Sequence, residues 1–143
     1  MKPTTLAELT AHIQVANCML HNPAIDHISF YCGRGRGKNG MINATLGNPF
    51  EMTKHGNRTE VCDAYKNLLN GEHYNIKGMP FGTEFLKRTQ QSHLDFISDI
   101  VKQMLAEPDK PVLLFCWCAP NRCHAEEIKK TIIKTLTQKW ELE

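Results

Sequence analysis

Apolar residues recur along this chain at two spacings, and the change from one to the other marks its elements. Thr5 and Glu8 stand at capping-box separation, and Leu6, Leu9, Ile13, Ala16 and Leu20 follow at helical intervals, which predicts a helix over 6–20. Asn22-Pro23 ends it, because proline disfavours helical backbone in the residue before it. His27-Ile28-Ser29-Phe30-Tyr31-Cys32 is rich in β formers and stops at Gly33, so it predicts a strand. Asn57 and Glu60 then have cap spacing ahead of Val61, Ala64, Tyr65, Leu68 and Leu69, which share one helical face, and Gly71 closes that helix.

A longer helix over about 84–106 turns Leu94, Ile97, Val101, Met104 and Leu105 inward. Pro108 and Pro111 punctuate the turn into a second strand, 111–117, whose unbroken run Val112-Leu113-Leu114-Phe115 predicts burial on both faces. A last helix from Ala125 to about Trp140 buries Ile128, Ile132, Ile133, Leu136 and Trp140. Tyr74-Asn75-Ile76 reads either as a short edge strand or as loop. The order of elements predicts one α/β domain over 1–143, an N-terminal helix (about 6–20) ahead of a motif-bearing core (about 27–140). Its expected form is a small, mainly parallel sheet flanked by helices, a Rossmann-like sandwich.

Composition adds exclusions. A chain of 143 residues with 41% hydrophobic content builds a core without staples. Seventeen basic against fifteen acidic residues leave a net charge of +2, too balanced to point to nucleic acid or a membrane surface. No run reaches the ~20 apolar residues of a membrane span. Met1-Lys2-Pro3-Thr4-Thr5 lacks a signal peptide's apolar stretch, so the expected location is cytoplasmic. Of the six cysteines, Cys18, Cys32 and Cys62 are scattered and three crowd into one run, which favours reduced thiols over a disulfide framework. The sequons at Asn43 and Asn57 are then coincidences of composition.

The chemistry concentrates in Cys116-Trp117-Cys118-Ala119-Pro120-Asn121-Arg122-Cys123-His124, where the second strand gives way to the last helix. Open α/β sheets place ligands at such junctions, and a helix start favours an anion or a thiolate. With Asn121 as cap, Cys123 and His124 fall in the first helical turn. There the dipole and Arg122 favour a Cys123 thiolate, and His124 can act as acid, base or donor. A metal set of Cys116, Cys118, Cys123 and His124 is the alternative, although C-x-C-x4-C-H departs from the common zinc frameworks. No cofactor is therefore expected, with zinc kept as the alternative. Packing of Cys116 in the core is the third reading.

Gly33-Arg34-Gly35-Arg36-Gly37-Lys38-Asn39-Gly40 follows the first strand with permissive backbone and positive charge, which suits a phosphate. It matches neither the dinucleotide fingerprint nor the Walker loop, and a solvated loop or a weak RNA grip are its other readings. The turn Gly47-Asn48-Pro49 either aims the Asn48 amide at a ligand or simply tucks Phe50 into the core. Arg58, at the start of the second helix, suits a carboxylate or phosphate. His55 and His73 lie in polar segments and read as solvated. An apolar face on the first helix serves either a homodimer or the chain's own sheet.

Taken together, Gly33-Arg34, Leu46-Gly47-Asn48-Pro49-Phe50, Arg58, Tyr65 and Cys116-x-Cys118-x-Pro120-x-x-Cys123-His124 resemble an uncharacterised family of small proteins from bacteriophages and bacteria, classed as a domain of unknown function. The resemblance spans roughly 27–132 and leaves Arg36 and Lys38 without support. It implies an α/β nucleotide-type pocket and a phage origin, in which case the host cytoplasm is the place of action.

The expected function is binding of a nucleotide-like or phosphorylated small molecule at the strand–helix junction. Its ligand contacts would be Gly33, Arg34, Gly47, Asn48, Pro49, Arg58, Cys118 and Asn121. If there is turnover, it would be hydrolysis or transfer at a nucleoside or sugar-phosphate bond, with His124 as acid–base group and Cys123 as nucleophile or polar support. The rivals are a non-catalytic protein sequestering a signalling nucleotide and a zinc-stabilised interaction module.

Overall fold

A computed structural model describes residues 5–17, 28–32, 42–43, 46–50, 54, 56–72, 81–116 and 123–142. The readings placed on Gly33, Arg34 and the rest of the glycine-rich loop, on Tyr74-Asn75-Ile76, on His55 and His73, and on Cys118 and Asn121 lie outside those residues. Helices and strands are mixed along the chain: α1 (Leu6–Ala11), β1 (Ile13–Asn17), β2 (Ile28–Tyr31), β3 (Ile42–Asn43), α2 (Arg58–Leu69), α3 (Thr83–Ala106), β4 (Val112–Cys116) and α4 (His124–Leu142). The strands form one parallel sheet in the order β1-β4-β2-β3.

The first helix is shorter than its periodicity predicts, and this corrects the helix expected over 6–20. Thr5 caps it, with its side chain accepting from the Glu8 N–H at 3.1 Å. After His12 the backbone extends, and Ile13–Asn17 pair in register with Val112–Cys116. Ile13 and Ala16 satisfy helical spacing, but Ile13 and Val15 are β-branched and share one face of a strand. Pairing with β4 decides between the two. β3, which the sequence pattern did not reveal, pairs Ile42 and Asn43 with Phe30 and Tyr31.

β4 lies between β1 and β2, and its four apolar residues are buried on both faces, as its unbroken run predicts. Val112 and Leu114 join Ile13, Ile28 and Phe30 in a core that also takes buried side chains from all four described helices. Leu113 and Phe115 point the other way and cluster with Ala16. Among the described residues no helical side chain joins that second cluster.

α2 starts with a capping box: Asn57 accepts from the Glu60 N–H and the Glu60 carboxylate accepts from the Asn57 N–H. It ends in a Schellman motif, with Gly71 N–H on Leu68 C=O and Glu72 N–H on Asn67 C=O. Gly71 has φ +74°, a conformation that glycine adopts without strain. On α3 the buried face is Leu86, His93, Ile97, Ile100, Val101 and Met104; Ile97, Val101 and Met104 turn inward as expected, while Leu94 and Leu105 pack against the core only partly buried. Among the described residues no helix is long and apolar enough to cross a membrane.

Candidate functional site

β2 and β4 end side by side, and the ladder runs on for one more bond, from the Cys32 N–H to the Phe115 C=O at 2.8 Å. α4 begins opposite those strand ends at His124. Cys123 stands just ahead of the helix, with its carbonyl accepting from the Glu126 N–H. The expectation that both residues lie in the first helical turn therefore holds for His124 alone.

The His124 ring crosses to β2, where its Nε2 meets the Cys32 carbonyl oxygen at 2.5 Å. A carbonyl can only accept, so Nε2 carries a proton. The other nitrogen, Nδ1, faces the Cys123 sulfur at 3.7 Å. The thiol is the natural donor to that lone pair, so one proton is shared between neighbouring residues. Cys123 is 2% exposed and Cys32 is fully buried, whereas His124 is half-buried. His124 is thus the member of this group that solvent reaches.

Two further described side chains join the group. Tyr65 of α2 is buried, and its ring meets His124 edge-on, centroids 5.0 Å apart at 82°. Its hydroxyl lies 2.8 Å from Nδ1 of His93 on α3. A buried phenol proton needs an acceptor, so the hydroxyl donates and His93 accepts on Nδ1. Burial pushes the Tyr65 hydroxyl well above the usual phenol range, and the neighbouring Cys32 and Cys123 thiols push the same way. Burial also lowers His93 to about 4, with the His124 charge adding to the effect. His93 is therefore a neutral acceptor at ordinary pH.

Asn48 and Arg58 sit by the first turn of α2. The Asn48 side chain donates to the Val61 C=O and accepts from the Phe50 N–H, both at 3.0 Å. It ties the Gly47-Asn48-Pro49 turn to the helix one turn before Tyr65, and Phe50 is buried as the plainer reading of that turn requires. Gly47 and Pro49 are half-buried. Arg58 is the first residue of α2 and half-buried, a cation at the positive end of the helix dipole.

Cys123 and His124 come into contact. Cys116 ends β4, but its side chain lies outside the described residues, as do Gly33, Arg34, Cys118 and Asn121. Cys123 and His124 offer two donors to a metal, fewer than a structural zinc takes, and among the described residues no three His, Cys, Asp or Glu side chains group at metal-binding range. Sequence reasoning did not pick out His93 or the Cys32 carbonyl. His93 had a signal: it is a polar residue spaced with Leu86, Ile97 and Ile100 on an apolar stripe. The carbonyl had none, because any residue carries one.

The family model described as a domain of unknown function, DUF4326, matches residues 20–134. The chain belongs to the DUF4326 family. That match takes in β2, β3, α2, α3 and β4 and most of α4, so every residue of the Tyr65–His93–Cys123–His124 group falls inside the DUF4326 span. No curated protein and no solved structure matches the chain.

Proposed function

We propose that this DUF4326 chain binds a nucleotide-like or phosphorylated small molecule beside the carboxyl ends of β2 and β4, with His124 as the group that meets it. The observation that carries this reading is the place of His124. It is a partly exposed imidazole, fixed by the carbonyl just past one parallel strand, at the end of its neighbour and the start of a helix. Parallel sheets bind ligands in the crevice at that end. The same reading takes the sheet as the core of a Rossmann-like sandwich and the protein as one that acts in a cytoplasm, the host's if a phage encodes it.

Arg34 and Arg58 are assigned to the anionic group, Gly33, Gly47, Pro49, Cys118 and Asn121 to the pocket wall. Asn48 contributes by holding its turn against α2. In a hydrolysis or transfer at a nucleoside or sugar-phosphate bond, Cys123 would give its proton to His124 and attack the carbon or phosphorus, and His124 would hand that proton to the leaving group. Water or the acceptor, deprotonated by His124, would then displace the sulfur; without covalent attack, Cys123 would only support His124 as the acid–base group. Without turnover, the same pocket sequesters its ligand.

The test is to incubate the purified protein with dinucleotides, cyclic nucleotides and nucleoside phosphates, separate and denature it, and identify what it held by mass spectrometry. A compound released intact supports binding without turnover, and one converted in excess over protein establishes an enzyme. A panel neither retained nor converted, with about one zinc per chain, would favour the interaction module instead. Arg58→Ala should weaken retention by roughly tenfold, the scale of one charge-assisted contact. Cys123→Ser should stop turnover while leaving retention intact, and full turnover in that variant rules out the thiol as nucleophile.

A further inference from the structure

Tyr65 stands between two imidazoles and does something different for each. Its hydroxyl bonds His93 at 2.8 Å, while its ring meets His124 edge-on at 5.0 Å. His93 sits on a helix stripe that is otherwise apolar. What histidine adds there is a lone pair for the phenol proton.

We propose that His93 is a positioning residue for His124, acting through Tyr65: by holding the hydroxyl it fixes the Tyr65 ring against the His124 imidazole, and so keeps Nε2 on the Cys32 carbonyl and Nδ1 toward the Cys123 thiol. The inference rests on the reading of His124 as the working group of the pocket. The physical reason is the cost of a buried hydroxyl without an acceptor, about 1–3 kcal/mol. Deprived of His93, the phenol ring must tilt toward another acceptor, and the wall that confines His124 moves with it. Cys32, just past β2, and Cys123, ahead of α4, are close enough to Tyr65 to act on it electrostatically. That shift would free the His124 ring to turn.

The test reads the His124 ring nitrogens by nitrogen-15 NMR in the full chain without ligand. In the wild-type protein His124 should show a single form, protonated on Nε2. In His93→Leu that single form should be lost, with a second set of ring signals of comparable intensity. His93→Gln, whose amide oxygen can take the phenol proton, should restore the wild-type signals. A folded His93→Leu protein with unchanged His124 signals overturns the proposal, and so does a glutamine variant that behaves like the leucine one. Should the leucine variant not fold, Tyr65→Phe decides: it keeps the ring and deletes the hydroxyl, and wild-type His124 signals there overturn the proposal. Because no ligand enters this experiment, a ligand panel that fails leaves its outcome untouched, and a failure here leaves the panel's result standing.

Discussion

His93 shows how one side chain couples the fold to pH. In the folded protein it resists protonation down to about 4, against an ordinary value of 6.5, chiefly because it is buried and secondly because His124 lies near. The unfolded chain takes up that proton near 6.5. Between the two values the unfolded state therefore holds more protons, and stability falls as the pH falls. The contribution is complete above about 6.5 and is lost on acidification toward 4, a span worth ~3 kcal/mol. Urea denaturation at a series of pH values should show this decline, and His93→Leu should flatten it. An equally steep decline in the variant would place the titrating group elsewhere.

Helix ends carry the clearest predictions at the level of elements. Asn57→Ala removes the acceptor for the Glu60 N–H and should cost about 1 kcal/mol by denaturant titration. Gly71→Ala forces a side chain into φ +74° and sets its Cβ 3.2 Å from the Gln90 amide, for a loss of roughly 1–2 kcal/mol. Gly56 is tighter still, since an added Cβ would sit 2.8 Å from the Glu60 Cβ. These features were legible in advance, because Asn57, Glu60 and Gly71 act through local backbone geometry. The strand Ile28–Tyr31, the strand Val112–Cys116 and the last three helices were legible for the same reason. β1 was not, because Ile13 and Ala16 suit either period and a partner 99 residues away, Val112, makes the choice. At the site, Cys123 and His124 stood out by residue type. His93 was hidden because the inner stripe of α3 was drawn through Leu94 and Leu105 rather than through His93 and Ile100, and the Tyr65 hydroxyl needed that helix in place before it had a partner.

For the molecule as a whole, the central strand is the point of greatest sensitivity. Leu114 faces the core shared by the helices, and Leu113 faces the smaller cluster with Ala16 and Phe115, yet Leu113 is only 8% exposed. Leu114→Ala and Leu113→Ala should each cost about 2–5 kcal/mol. A near-neutral Leu113→Ala would show that the second face contributes little to stability.

The strand order also bears on how the chain is made. Among the described residues β1 pairs only with β4, and β2 reaches β1 only through it, yet β4 begins at Val112. While a ribosome adds about 5–20 residues per second, the first hundred residues wait with their main pairing partner not yet synthesised. Neither β1 nor the β4 side of β2 can close its backbone hydrogen bonds during that time. Folding is therefore a late event in translation, dominated by the two long-range pairings of β4, and slow for a chain of this size. A product of premature termination before Val112 would carry bare strand edges, the feature that chaperones and proteases are best placed to recognise.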